Sequence, residues 1–229
     1  RLIGDYMDIE KIVKYILSNK VSSTELADSL EKKGWLKSVN ALNRHCYAVG
    51  IVRHIIVDVP SNYEVYKKFE DIKEGDILYI ECRFDENKAI FGDIACKYLF
   101  TYKRIAGLVV KGRLRDANRL VKEGYAIWCS GVSPIGVINT EIISNFSHGS
   151  LSGGIAVCDD SGVVIAEPGE VNKKLIKSLE RIELLEDCWY YCVDTLKWSP
   201  YETISLRKYL KDPGSLPERL LNLIGKSND

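Results

Sequence analysis

The sequence predicts an α/β core over residues 1–168, opened by N-terminal helices and followed by a helical extension over 169–229. Three observations lead there. Strand and helix patterns alternate between Ile77 and Ser130, which favours parallel pairing in one sheet. After Pro134 the texture changes to short apolar runs separated by turn residues, the pattern of a largely antiparallel second layer. From residue 170 onward the apolar positions recur at helical spacing, broken by Trp198, Pro200, Pro213 and Pro217.

Taken in order, Ile9, Ile12, Val13, Ile16 and Leu17 share one face of a helix over 8–19. Ser22-Ser23-Thr24-Glu25 has the spacing of a capping box, and with Gly34 as a stop it predicts a second helix over 23–33. Tyr47–Val59 is rich in Val and Ile and ends at Pro60, as a strand does. A short helix follows, and Gly75-Asp76 turns the chain into a strand over Ile77–Cys82. Gly92-Asp93 opens a helix to about Arg104, Ala106–Val110 is a buried strand broken by Gly112, and Asp116–Glu123 is a helix stopped by Gly124. Strands are expected at Tyr125–Ser130, Val137–Asn145, Gly154–Cys158 and Val163–Glu167, with Asp159-Asp160-Ser161-Gly162 turning between the last two. Val171–Tyr191, Ile204–Leu210 and Glu218–Ile224 read as the helices of the extension.

Composition excludes some functions. Lys plus Arg and Asp plus Glu number 32 each, so the excess positive charge of a general nucleic-acid or membrane-surface binder is missing. No apolar run reaches the length of a membrane span and no signal-peptide pattern opens the sequence. Seven cysteines at wide spacings, with no CxxC, fit reduced thiols in a cytoplasmic protein better than a disulfide framework. Cys188 and Cys192 would share a helix face, but two ligands do not make a zinc site. His45, His54 and His148 lack the spacing of metal ligands and read as core or surface residues. Met7 is the single methionine, so either the six residues before it are foreign or the sequence is a piece of a longer polypeptide.

Two segments carry the chemistry. Phe91-Gly92-Asp93-Ile94-Ala95 places a glycine and an acid at a helix start, where backbone amides and the helix dipole favour an anion such as a carboxylate. Gly107–Asp116 ends a buried strand and delivers Arg115 and Asp116 side by side at its carboxyl end, where open α/β sheets place their ligands. Arg115 offers a planar fork suited to a carboxylate, and Asp116 offers hard oxygens suited to Mg2+ or Mn2+. Taken alone, each segment is more simply read as a capped helix, with Asp116 as the N-cap of helix 117–123 and Arg115 solvated. Together they supply a cation site, an arginine and helix-end amides, the set that stabilises the enolate of a 2-oxo acid.

These motifs, with Ile127-Trp128-Cys129-Ser130-Gly131-Val132-Ser133-Pro134-x-Gly136, resemble the RraA-like family. The likeness extends through Thr24–Leu30, Gly75–Leu78 and Cys158–Val164, and so spans roughly residues 20–168. It implies the β/β/α fold of that family, assembled as a homotrimer or homohexamer with sites between subunits. It also implies a metal-dependent pyruvate aldolase or oxaloacetate decarboxylase, a carbon–carbon lyase acting on a small 2-oxo acid. In the aldolase branch the positions of Gly92, Asp93, Ile94 and Ala95 bind the pyruvate carboxylate, and that of Arg115 grips substrate. The position of Asp116 is the direct metal ligand, and that of Asp93 holds a metal-bound water. In the branch that regulates a ribonuclease the Arg-Asp pair is typically broken; here it is intact.

Two departures stand out. Members usually place twenty residues between the first acid and the Arg-Asp pair, whereas Asp93 and Arg115 have twenty-one between them, and the extra residue is expected near Tyr102–Arg104, where the helix ends. Inside the helix it would swing Asp93 by about 100°. Lys111 stands where many members carry an acid. Glu180, Glu183 and Glu186 read most simply as the solvated face of the tail helix, although in relatives a tail acid can reach a neighbour's metal site, which keeps that role open for Glu186. The rival reading is a non-catalytic regulator that binds a ribonuclease or another protein; a lyase domain fused to another enzyme is a third.

Overall fold

The computed structural model describes residues 9–84, 87–142 and 148–221. Met7 and the residues before it, the far end of the expected strand 137–145 and the far end of the expected helix 218–224 lie outside them. The chain divides into a unit of residues 1–174 and a unit of residues 175–229.

The first unit is built on one eight-stranded sheet. Its strands are β1 (Asn40–Ala41), β2 (Ala48–Val57), β3 (Ile77–Cys82), β4 (Ala89–Phe91), β5 (Gly107–Leu114), β6 (Ile127–Val132), β7 (Ile155–Asp159) and β8 (Gly162–Ala166). They lie in the order β1-β6-β5-β3-β2-β7-β8, with β4 beside the end of β5. Pairing is parallel from β6 through β5 and β3 to β2, and antiparallel from β2 through β7 to β8. The antiparallel strands form the second layer expected from the sequence: Ala156, Cys158, Val163 and Ile165 of β7 and β8 pack across a shared core from Ile77, Tyr79, Val109 and Trp128 of the parallel strands. They continue the parallel sheet through β2, a ten-residue strand long enough to pair with both sides.

The sheet nearly closes on itself. Leu36 N–H donates to Val163 O at 2.9 Å and Ile165 N–H to Gly34 O at 2.9 Å, so residues 34–36 lie along β8. The same stretch then reaches β1, which pairs with β6 at the opposite edge. Both faces are thus buried, and the central strands read as continuous apolar runs whose side chains part company by alternation. Leu78, Ile80, Leu108, Val110, Ile127 and Cys129 point to a core shared with the helices. Ile77, Tyr79, Val109 and Trp128 point instead into the sheet's concave side, with Ala156, Cys158, Val163 and Ile165. Trp128 Nε1–H finds the carbonyl of Asp159 at 2.8 Å, which satisfies the one polar atom of this fully buried ring.

Helices α1 (Ile9–Asn19), α2 (Ser23–Ser29), α3 (Tyr63–Lys68), α4 (Asp93–Lys97) and α5 (Ala117–Glu123) belong to this unit. The capping box at Ser22 and Glu25 forms as expected. The helix it opens is shorter than expected, because Glu31 and Lys32 turn left-handed well before Gly34. Its first turn is pinned from outside: the Asp159 carboxylate accepts from the Ser23 amide and hydroxyl, both at 2.7 Å. Gly112 does not break β5. It sits in an irregular register between Val110 and Arg113, where a Cβ would meet Cys82 Sγ at 2.7 Å. Residues 137–142 make isolated bridges rather than a strand, since Gly136 and Ile138 each pair at a single point, with Ala89 and Ser61.

In the second unit α6 runs over Lys173–Asp194, beginning in the first. The expected helix 204–210 is instead π-helical at Tyr201–Ser205, interrupted by the left-handed Arg207, and resumes as α7 (Lys208–Lys211). Buried Cys188, Cys192, Tyr209 and Leu216 form its core with Trp189 and Trp198. All seven cysteines are free thiols, and no three His, Cys, Asp or Glu side chains gather around a common point among the described residues. No helix among them is long and apolar enough to cross a membrane.

His54 is buried on β2, stacked on Tyr79 with ring centroids 4.4 Å apart, and Gly149 lies flat against its ring. Burial holds its pKa below the ordinary 6.5, against the pull of Glu81 3.3 Å away, a carboxylate also shared by Arg83 and Lys111. A histidine kept neutral by folding contributes stability above its unfolded pKa and loses it as pH falls through the folded one. Thermal unfolding at about pH 7.5 and about pH 5.5 should therefore show a larger loss in the native protein than in His54→Asn. Equal losses would show that the imidazole is not the group being titrated.

Candidate active site

The site is made by the parallel pairing of β4 with the end of β5. Ala89 lies beside Arg113 and Phe91 beside Leu114, so both strands stop at the same level and both chains turn there. Arg115 N–H donates to Phe91 O at 3.1 Å, which fixes the second turn against the first. Segment 133–138 closes the third side: Ser133 N–H donates to Leu114 O, Ala89 N–H to Ile135 O and Val137 N–H to Ala89 O. Gly92, Asp93, Arg115 and Asp116, far apart in sequence, are brought together as expected.

The turns come closer than any side chain other than hydrogen allows. A Cβ on Gly92 would lie 2.0 Å from Asp116 Oδ2 and 2.7 Å from Arg115 Cγ. A Cβ on Gly136 would lie 2.8 Å from Arg115 Nη1. The arginine stem therefore runs through a slot between two glycines, and half of the side chain remains exposed beyond it.

Asp116 does not cap its own helix. Its backbone is left-handed (φ 60°, ψ 33°), and its side chain makes no capping bond to α5. A left-handed residue other than glycine costs on the order of 1 kcal/mol, least for Asp and Asn. That conformation turns the carboxylate across the gap, where Oδ2 accepts from the Asp93 amide at 3.3 Å and stands 3.6 Å from Arg115 Nε. The side chain is still 41 % exposed and so open to a ligand. Asp116 thus stands at the N-cap position, its carbonyl accepting from Arg119 and Leu120, but its side chain does not make the cap expected of it.

Asp93 begins α4 and is largely covered. Arg119 donates to its Oδ2 from 2.5 Å, and this bond, more than any other influence, holds the Asp93 carboxyl below its usual range. Sequence reasoning missed Arg119. The signal was present in its position three residues after Asp116, on the helix face that turns toward α4.

With twenty-one residues between them, Asp93 and Arg115 still meet at the gap through Asp116. From Tyr98 to Lys103 the helix widens into π turns and ends in the left-handed Arg104. A π turn takes up one residue more than an α turn, and these turns lie beyond α4, away from its Asp93 end. Lys111, the other departure, donates to Glu81 on β3 at 3.1 Å. The tail acids Glu180 and Glu183 are exposed, and Glu186 is half-buried.

Around these residues lie three open cavities. One, of about 440 Å³, runs from Gly92–Ala95 and Arg115 to Tyr66, Phe69 and Tyr98. A second, of about 430 Å³, lies between Arg115–Arg119 and Val132–Pro134, and a third, of about 520 Å³, between Asp93 and Tyr125. The aromatic residues of the first were not singled out from the sequence. Tyr66 and Phe69 stand three apart in a short helical stretch and look like ordinary core positions.

Fold and site together define an α/β protein with a nearly closed sheet and an arginine–carboxylate cleft at its strand ends. A family model described as RraA-like, Aldolase/RraA, matches residues 23–165, and the chain belongs to that family. It is 28% identical over 172 residues to a protein of Halalkalibacterium halodurans named "Putative 4-hydroxy-4-methyl-2-oxoglutarate aldolase", covering 70% of this chain and 80% of that one. Among solved structures it is similar to an uncharacterized protein of Pseudomonas syringae pv. tomato, with a TM-score of 0.66 and 17% identity over 83% of this chain and 96% of that one. It is also similar to Streptomyces coelicolor RraAS2, described as an unusual member of the RNase ES inhibitor RraA protein family. There the TM-score is 0.65 and the identity 24%, over 77% and 94% of the two chains. The structural likenesses establish the fold.

Gly92→Ala tests the close approach. Forcing a methyl group into this contact should cost about 1–3 kcal/mol in urea unfolding. Asp116→Gly removes the carboxylate it strikes and suits the left-handed backbone, so the double variant should lose less than the sum of the two single losses. Simple additivity would mean that the two turns do not press on one another.

Proposed function

We propose that the protein is a divalent-metal-dependent lyase that cleaves or decarboxylates a small 2-oxo acid through a pyruvate enolate. The observation that supports this most is the turning of Asp116 away from its own helix, toward Gly92, Asp93 and Arg115. The Halalkalibacterium relative's name points the same way.

The residues present fit Mg2+ or Mn2+. Such hard cations are held by one or two carboxylates with water completing the shell, and Asp116 presents an exposed carboxylate beside Asp93. Asp116 would be the direct ligand. When bound there, the cation supplies Lewis acidity that draws electron density from the 2-oxo carbonyl.

The chain's own groups do the rest. Arg115, its stem confined between Gly92 and Gly136, presents its fork to the substrate carboxylate with little rotamer freedom left to lose. The backbone of Gly92–Ala95 offers the helix-end field to the same carboxylate. Asp93, kept ionised by Arg119, is a weak base, so its task is to accept a hydrogen bond from a water and orient it rather than to remove its proton. Retro-aldol cleavage and decarboxylation leave the same three-carbon enolate, so one geometry serves both, and a proton delivered from solvent to its methylene carbon gives pyruvate.

We further propose a homotrimer or homohexamer in a cytoplasmic setting. Light scattering at micromolar concentration should report at least three chains, and a fully active monomer would contradict this.

Asp116→Asn removes the ligand's charge and keeps its size, and Asn tolerates the left-handed backbone as well as Asp does. Calorimetric titration should show manganese affinity falling by about tenfold or more while the unfolding temperature barely changes. Arg115→Lys keeps the charge but loses the fork, so manganese affinity should hold while KM for a 2-oxo acid rises. Equal manganese affinity in native protein and Asp116→Asn, with no metal-stimulated pyruvate release, would leave the regulator reading in its place.

A further inference from the structure

The cavity that starts at Gly92–Ala95 and Arg115 has a lining of two unlike halves. At one end stand Arg115 and the Gly92 turn, and at the other an aromatic wall. Phe69 and Tyr98 lie nearly parallel, with ring centroids 6.4 Å apart and 13° between planes. Tyr66 packs against Phe69 at 5.5 Å. The wall is rigid at its root: Phe69 is buried, and Asn62 donates to the Tyr66 hydroxyl at 3.0 Å while its own amide oxygen is held by Asn139.

Charge sorts the possible occupants. Arg115 is the single cationic side chain among the described residues that line this cavity, and the two carboxylates there, Glu70 and Asp93, are negative. One carboxylate of a ligand finds a partner in Arg115. A second carboxylate, reaching toward the aromatic wall, would face the Glu70 carboxylate, while Lys103, whose ammonium donates to the Glu70 carbonyl at 2.9 Å, is not among the lining residues. An apolar or aryl group placed in the same position would stack on Tyr98 and Phe69.

We infer that the cavity selects 2-oxo acids with one carboxylate and an apolar, preferably aromatic, arm, with Tyr66, Phe69, Tyr98 and Glu70 as its specificity-determining residues. This rests on the lyase reading for the reaction, but not for the binding. The 4-hydroxy-4-methyl-2-oxoglutarate in the name of the Halalkalibacterium relative is a dicarboxylate, so the two proteins would differ in the arm they accept. With 4-hydroxy-2-oxo-4-phenylbutanoate the C3–C4 bond breaks and the C4 hydroxyl gives up its proton to become the carbonyl of benzaldehyde. The bonding pair stays on C3 as the enolate, which takes up one proton to give pyruvate; no oxidant or reductant enters.

The test is calorimetric binding of phenylpyruvate and of 2-oxoglutarate to the full chain with magnesium present. Native protein should bind phenylpyruvate about tenfold more tightly than 2-oxoglutarate. Tyr98→Ala should remove most of that preference, and its partly exposed position makes the variant easy to fold. Glu70→Lys, at an exposed site, should move the ratio about tenfold toward 2-oxoglutarate. Tighter or equal binding of 2-oxoglutarate by native protein, an unchanged ratio in Tyr98→Ala, or failure of both ligands to bind would overturn the assignment. Pyruvate release from 4-hydroxy-2-oxo-4-phenylbutanoate is measured beside it. Its absence, with the binding preference intact, would remove the lyase reading and leave the pocket assignment standing.

Discussion

Everything at this site depends on how closely two turns approach at the ends of β4 and β5. Parallel pairing sets the strand ends level, and the missing side chain of Gly92 lets Asp116 come within contact of the opposite backbone. From that approach the other features follow. Asp116 has to turn left-handed to face the gap, Arg115 has to leave through the slot between Gly92 and Gly136, and α5 then carries Arg119 over Asp93. The strain at Asp116 is local, and the hydrogen bond donated by the Arg115 amide to Phe91 O holds the turn against it. A helix cap would have needed none of this.

The charges around the gap are arranged in pairs rather than as a field. Arg119 neutralises Asp93, and Arg115 stands beside Asp116 at a distance too long for a firm bond, with both side chains substantially exposed. The first pair is closed and the second open. An anion arriving at Arg115 and a cation arriving at Asp116 would each complete the partner left unsatisfied, so the two ligands would favour one another without any movement of the sheet.

Much of this was legible in the sequence because it is local. The capping box at Ser22, the strands at Ile77 and Gly107, and the two motif segments at Gly92 and Arg115 announce themselves through spacing and residue type. Missed features are those in which a distant contact decides. Gly112 looks like a breaker until Cys82 is seen filling the space above it, and 137–142 look like a strand although only single residues of the neighbouring segments are within reach. The second layer of antiparallel strands was legible from the turn residues between them, but nothing in the pattern of β2 reveals that its first half pairs with β7 and its second half with β3. Arg119, Tyr66 and Tyr98 matter only through what folding sets opposite them, and Asp116 is an ideal capping residue by type that its backbone puts to another use.

The most direct test of the central claim, that Asp116 faces a ligand site and not its own helix, is to locate the cation. Crystals grown with manganese and oxalate, a planar mimic of the pyruvate enolate, would give an anomalous difference map at the manganese edge. The account predicts one strong peak at bonding distance from the Asp116 carboxylate, with an oxalate carboxylate on the Arg115 fork. A map with no peak there, and Asp116 bonded instead to the amides of α5, would contradict it.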